Sequence, residues 1–260
     1  MNQRSFVTRL GAVALALVFM LSISSCGNSG SSPNNPTTGS NDYGGNTFPK
    51  TGTTYTYDLY QTDSVGTKVV GTDTTIVASV VGAGMTYLGE SNVFAVQDGG
   101  TTNHFTFTHA GDLKMSPDTA GITAMLNGIA NASIAKWFTF LTGTKLAGDF
   151  HAFDTSISFP FTFNGLPIQV GVDISIANGY MKEEAVQVGS ESLQCSKIHI
   201  KYTVDIHAVI VNSTIIIDNT YWFSPKIGYF AKEVSTNTGL DILGMPPSGS
   251  VQTLTSYHLN

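Results

Sequence analysis

Histidines, cysteines and paired carboxylates are the residues that could do chemistry, and in this chain they are few and scattered. There are six histidines. His199 and His207 fall on one face of a strong alternating run, but eight strand steps of ~3.4 Å hold them about 27 Å apart, too far to share a metal. His104 and His109 flank a phenylalanine strand, and His151 and His258 stand alone. The set therefore lacks metal-ligand spacing, and surface or hydrogen-bonded roles are expected. Glu183 and Glu184 are adjacent, so on a strand they point to opposite faces and cannot form one catalytic pair. Asp173 and Asp205 each sit on the polar face of a strand, where a solvated carboxylate is the expected role. Cys195, next to an apolar run, is expected as a small buried core residue. No nucleophile elbow, His-Glu-x-x-His motif, phosphate loop, dinucleotide fingerprint or EF-hand run is present. No catalytic residue, metal site or cofactor is assigned.

Strands must position whatever site exists. From Thr51 onward the apolar period is two. Tyr55, Tyr57 and Leu59 alternate with polar residues, as do Phe105 and Phe107. Phe159, Phe161 and Phe163 continue the pattern, as do Ile168 to Ile176 and Ile198, Ile200, Tyr202, Val204 and Ile206. Such alternation marks strands with one buried and one solvated face, as in antiparallel sheets. Gly82–Gly84, Gly99-Gly100, Asn164-Gly165, Asn178-Gly179 and Gly189 fall between the runs and are read as turns, with Asn164-Gly165 the clearest hairpin signal. The expected fold is mainly β: an antiparallel meander forming a curved sheet, an incomplete barrel or a sandwich. One stretch departs from it. Ser116-Pro117-Asp118 is a helix start signal, and Ile122, Met125, Leu126 and Ile129 follow at helical spacing, which predicts a short helix near 118–131. Those four residues are the candidate ligand-binding face, able to cover a concave sheet.

The N-terminus has its own organisation. Arg4 and Arg9 precede an apolar run from Leu10 to Leu21, then Ile23-Ser24-Ser25-Cys26. Basic, apolar and small segments in that order make a secretory signal. The run is roughly a dozen residues, short of the ~20 that a membrane-spanning helix needs. With a cysteine at the cleavage position, the segment resembles the bacterial lipoprotein signal. The resemblance implies cleavage before Cys26, acylation of that residue, and a membrane partner reached through the lipid anchor. Several acyl chains hold stably where one holds marginally. Gly27 stands where the familiar inner-membrane retention signal has aspartate, so the resemblance implies an outer-membrane, periplasm-facing location. Residues 1–25 are thus the signal peptide, 26–50 the acylated cysteine and a Gly/Ser/Asn/Pro/Thr tether, and 51–260 the β-rich envelope domain, divisible into halves 51–115 and 136–260.

Composition narrows the partners. Formal net charge is −6, and charged residues are 12% of the chain, against roughly 25% in an ordinary soluble protein. Arg4 and Arg9 leave with the signal, making the mature chain more acidic still. No basic stripe exists to neutralise phosphates, so nucleic acid is not an expected partner. The tract Tyr221-Trp222-Phe223-Ser224-Pro225-Lys226-Ile227-Gly228 is read as a strand and a four-residue turn into a second strand. It resembles a hairpin of envelope lipoproteins and periplasmic β proteins that have no assigned activity. The arrangement of curved sheet and helix also resembles carriers of the lipoprotein-sorting type. The function expected from this sequence is a non-catalytic, lipid-anchored envelope protein that binds an apolar small molecule. The alternatives are a structural or protein-interaction module that meets another envelope protein, and a hydrolase with a dispersed site.

Overall fold

The computed structural model describes residues 43–98, 101–116, 137–163, 166–208, 211–238 and 248–260. Among them are twelve strands: β1 (Thr54–Thr62), β2 (Thr74–Tyr87), β3 (Glu90–Asp98), β4 (Thr101–Phe107), β5 (Leu113–Ser116), β6 (Phe138–Leu141), β7 (Gly148–Phe163), β8 (Leu166–Val188), β9 (Glu191–Ala208), β10 (Val211–Ser224), β11 (Tyr229–Thr238) and β12 (Ser248–His258). They form a single antiparallel sheet in the order β6-β5-β4-β3-β2-β1-β12-β11-β10-β9-β8-β7. The first and last strands pair in its middle, Tyr55 opposite Tyr257. The result is a nearly closed barrel whose one seam lies between β6 and β7. The expected halves 51–115 and 136–260 are thus two arms of one sheet. The predicted helix 118–131, with Ile122, Met125, Leu126 and Ile129, lies outside the described residues, as does Cys26.

Short connections impose the meander. Phe163 pairs with Leu166 across Asn164-Gly165, Val188 with Glu191 across Gly189-Ser190, and Asp98 with Thr101 across Gly99-Gly100. Two-residue loops leave the next strand no option but antiparallel pairing with its predecessor. The alternation on β9 holds: Ile198, Ile200, Tyr202, Val204 and Ile206 are buried, and His199, Lys201, Thr203 and Asp205 are more exposed.

Two glycine signals mean something other than turns. Gly82–Gly84 lies within β2, where the register against β3 shifts repeatedly, so these glycines bend a strand instead of ending it. Asn178-Gly179 lies inside the 23-residue β8. A Cβ at Gly179 would sit 2.1 Å from the Gly148 carbonyl oxygen, so only glycine lets the start of β7 approach. Asn178, fully buried, donates from Nδ2 to the carbonyls of Thr139 (2.6 Å) and Phe140 (2.7 Å) on β6. A side chain thereby bridges the seam that no strand ladder closes.

The end of the barrel near the β10–β11 turn is filled with aromatic rings. Phe94, Phe105, Phe107, Phe140, Phe223 and Phe230 are buried there with centroid separations of 5–6 Å, the range in which rings attract beyond their buried area. The segment before β1 belongs to this plug. Tyr43 stacks on Phe48 at 5.2 Å, and Phe48 meets Phe94 edge-on at 5.4 Å. Thr47 N–H donates to Pro225 O at 2.8 Å. The folded unit therefore begins by Tyr43, earlier than the expected boundary at 51, because two aromatic rings near the end of a Gly/Asn-rich stretch find a core to enter.

Candidate functional site

The opposite end of the interior is lined differently. On β10 the inward residues include Asn219 and Tyr221, which pair across the ladder with Ser235 and Glu233 of β11. Residues directly opposite in a ladder share a face, and Tyr221 is buried within the core, so Glu233 and Ser235 also face the interior. Glu233 in turn pairs with Gln252 of β12, and Gln252 with Leu59 of β1. Ile76 of β2 lies opposite inward-facing Tyr57, and Asp98 of β3 opposite buried Ala78. Glu233, Asn237, Gln252, Leu59, Ile76 and Asp98 all retain partial solvent access. Together they line a patch of the interior that water reaches, beside fully buried neighbours.

The electrostatics follow from that placement. Burial first, and then the negative charge of Asp98, raise the Glu233 carboxyl from 4.5 to about 7 against the opposing effect of a hydrogen bond with Tyr221. Tyr57, Tyr202, Tyr221 and Tyr229 are all pushed upward, first by burial and then by nearby carboxylates or tyrosines. Two of the tyrosine hydroxyls serve the backbone. Tyr55 OH donates to Ile227 O (3.0 Å) and Tyr57 OH to Phe230 O (2.8 Å). Tyr221 OH accepts from Asn219 Nδ2 at 2.9 Å and bonds Glu233. Asn219 Oδ1, Ser235 Oγ and Asn237 Oδ1 are buried atoms without a protein hydrogen-bond partner. Leaving such a group unpaired costs about 1–3 kcal/mol, and three on adjoining positions of one face is a concentration that an ordinary core avoids.

The residues singled out from sequence lie elsewhere. His199 sits between Asp149 (Nδ1–Oδ2 3.1 Å) and Asp218 (Nε2–Oδ1 2.9 Å), and His207 pairs with Asp173 at 3.1 Å. Glu183 pairs with Lys145 at 2.7 Å, and Glu184 with Lys182 at 3.0 Å and Lys197 at 3.4 Å. Asp205 accepts from Thr214 Oγ1 at 2.5 Å. Except at Glu183, which lies opposite Ser196 and so on the other face from Glu184, these are ion pairs and hydrogen bonds on the reverse face of the wall. Cys195 is fully buried and free, its thiol pushed up to about 12 by burial, which makes it inert. Trp222 lies between Lys197 and Lys232, whose Nζ atoms stand 4.7 and 4.8 Å from the ring centroid.

Sequence reasoning missed Glu233 for a specific reason. Phe223 pairs with Phe230, yet Trp222 pairs with Lys232, so one extra residue, Ala231, bulges from β11. Counting by twos from inward-facing Phe230 puts Glu233 outside. The bulge turns it in.

Fold and site define a nearly closed twelve-stranded meander barrel with an aromatic plug at one end and a partly wet, acid- and tyrosine-lined interior beyond it. No protein-family model matches the sequence, and no curated protein matches it. The solved structures to which the chain is similar are distant. A Bacteroides fragilis protein, provisionally described as exported and as having a YmcC-like fold, is 16% identical, with 82% of this chain and 99% of that one covered and a TM-score of 0.36. A Parabacteroides distasonis protein provisionally described as a lipoprotein is 12% identical, with 81% and 97% covered and a TM-score of 0.37. The hypothetical lipoprotein YmcC of Escherichia coli is 11% identical, with 78% and 84% covered and a TM-score of 0.30.

Proposed function

We propose that this is a lipid-anchored protein of the cell envelope, held by acylated Cys26, whose barrel interior binds a small molecule with an apolar body and does not transform it. The observation that carries the binding reading is the division of the interior into two parts. One end is packed with rings, while beyond it Leu59, Ile76 and Glu233 face inward and stay partly accessible. A barrel that needed only a core would fill that space with apolar side chains. The location rests on the basic, apolar, small and cysteine order of the N-terminus, and the outer-membrane, periplasm-facing orientation on Gly27 after the cysteine. In this reading Ile122, Met125, Leu126 and Ile129 supply the apolar cover.

Native mass spectrometry of the full-length protein, purified from the membrane fraction into lipid nanodiscs, tests both parts. The expected result is a diacyl or triacyl mass on Cys26, lost in Cys26→Ser, together with a small molecule retained in stoichiometric amount. Bulky substitution at Met125 or Ile129 lowers the occupancy of that molecule without unfolding the barrel. A protein that carries no small molecule and takes up none from a panel of apolar compounds would overturn the binding reading in favour of the protein-interaction module.

A further inference from the structure

Acceptors predominate in the unused hydrogen-bonding capacity of the interior around Glu233. Glu233 is an acceptor-only group when ionised. Asn219 spends its amide nitrogen on Tyr221 OH at 2.9 Å and leaves Oδ1, an acceptor, without a partner. Asn237 likewise leaves Oδ1, and Ser235 leaves a hydroxyl able to accept. Asn219 is 0% and Ser235 3% exposed, so bulk water does not satisfy them. They form a cross-strand pair one step along the same face from the Tyr221–Glu233 pair. The groups that act electrostatically on Glu233 are Asp98 and the ring of Tyr57, Tyr202, Tyr221 and Tyr229. The lysine adjacent in sequence, Lys232, is turned to the reverse face and lies over Trp222. A ligand that complements this set must donate hydrogen bonds and carry positive charge, and tyrosine faces suit a cation as well.

We propose that the interior around Glu233 binds the ammonium group of a small organic amine. Glu233 is its charge partner, Asn219 Oδ1 and Ser235 Oγ are further acceptors, and the apolar body of the amine lies against Leu59 and Ile76. The proposal rests on the binding reading above and adds the charge of the ligand. No bond is made or broken; an already protonated amine exchanges its water hydrogen bonds for those of the barrel. Because Glu233 takes up a proton near pH 7 while an alkylamine stays protonated, affinity falls as pH drops from about 8 to about 6.

The test uses the full-length protein in nanodiscs, with empty nanodiscs as the blank, and three probes of equal chain length: hexylamine, hexanol and hexanoate. Calorimetric titration at pH 8 is expected to give hexylamine an affinity at least about tenfold above hexanol, with hexanoate weaker than both. That ratio is at the low end of what a hydrogen bond to a charged group contributes. Glu233→Gln abolishes the preference for amine over alcohol, and Ser235→Ala reduces it. Glu233→Gln removes a buried charge and keeps the barrel folded by circular dichroism, so lost preference is not lost structure. Should that variant unfold, the pH dependence of wild-type hexylamine binding carries the same information. Equal affinities for hexylamine and hexanol, or a preference unchanged in Glu233→Gln, would overturn the amine site and leave the apolar-ligand reading standing. Failure of all three probes to bind would overturn both.

Discussion

Glu184 lies 3.0 Å from Lys182 Nζ and 3.4 Å from Lys197 Nζ, on the face of the wall that also carries Trp222. Glu233, on the opposite face of the same wall, has Tyr221 and Asp98 for neighbours and, among the described residues, no cation acting on it. The hydrogen bond from Lys182, assisted by the charge of Lys197, lowers Glu184 to about 2. Burial, assisted by Asp98, raises Glu233 to about 7. The residue type is the same, and the side of the sheet decides whether the carboxylate is welcomed or opposed. On the reverse face, the charge of Glu184 is neutralised locally by Lys182 and Lys197. In the interior, Glu233 stands beside the unpaired acceptors of Asn219 and Ser235.

The contrast between interior and reverse face is tested most strongly where packing is densest. Phe105→Ala removes a ring in contact with Phe94, Tyr229 and Phe230 and is expected to cost about 3–5 kcal/mol in urea unfolding. Thr203→Ala on the other face is expected to cost about 0.5 kcal/mol or less. Equal costs would mean that both faces are core.

The two glutamates give the next largest effect, and they have opposite signs. Between about pH 4.5 and 7 the unfolded chain has released a proton that folded Glu233 still holds, so this group makes stability fall as pH rises. The full penalty, reached above pH 7, is on the order of 3 kcal/mol. Glu233→Gln should therefore raise the melting temperature at pH 8 and change it little at pH 4. Glu184 behaves inversely. Its stabilisation is present above about pH 4.5 and fades as pH falls toward 2, and solvent screening holds it to about 0.5 kcal/mol. Melting curves of Glu233→Gln and Glu184→Gln from pH 4 to 8 check both slopes, and parallel curves for the two variants would refute the division of faces.

Asn178 is expected to have a smaller and more local effect. Asn178→Ala strips two carbonyls on β6, one buried and one half-buried, of this donor, a loss of about 2 kcal/mol. Hydrogen exchange should accelerate first in β5 and β6, next to the seam, and leave β9 and β10 protected. Uniform acceleration would mean that the amide does not latch the seam.

Much of the architecture was legible because a strand with one wet face must alternate. The five inward residues of β9 are an example, and so is the hairpin at Gly189. What alternation cannot convey is a one-residue slip. The bulge at Ala231 inverts the face of Glu233, and Met181, likewise skipped between the Tyr180–Ile198 and Lys182–Lys197 pairs, shifts the β8 register. Gly179 looked like a turn because its need for space comes from Gly148, thirty-one residues away in the chain.

The sequence by itself determined the basic, apolar, small and cysteine order of the N-terminus, the antiparallel period of two, and the absence of recognisable catalytic motifs, since each is written in neighbouring residues. Tertiary structure alone decided that β1 pairs with β12, that the seam falls between β6 and β7, and that Tyr43 and Phe48 plug one end. It also decided that Glu233, Asp98 and the tyrosines of β1, β9, β10 and β11 share one interior. These depend on ladder register and on contacts between residues up to about two hundred positions apart. A local pattern carries no record of which distant strand will supply the other side of a wall.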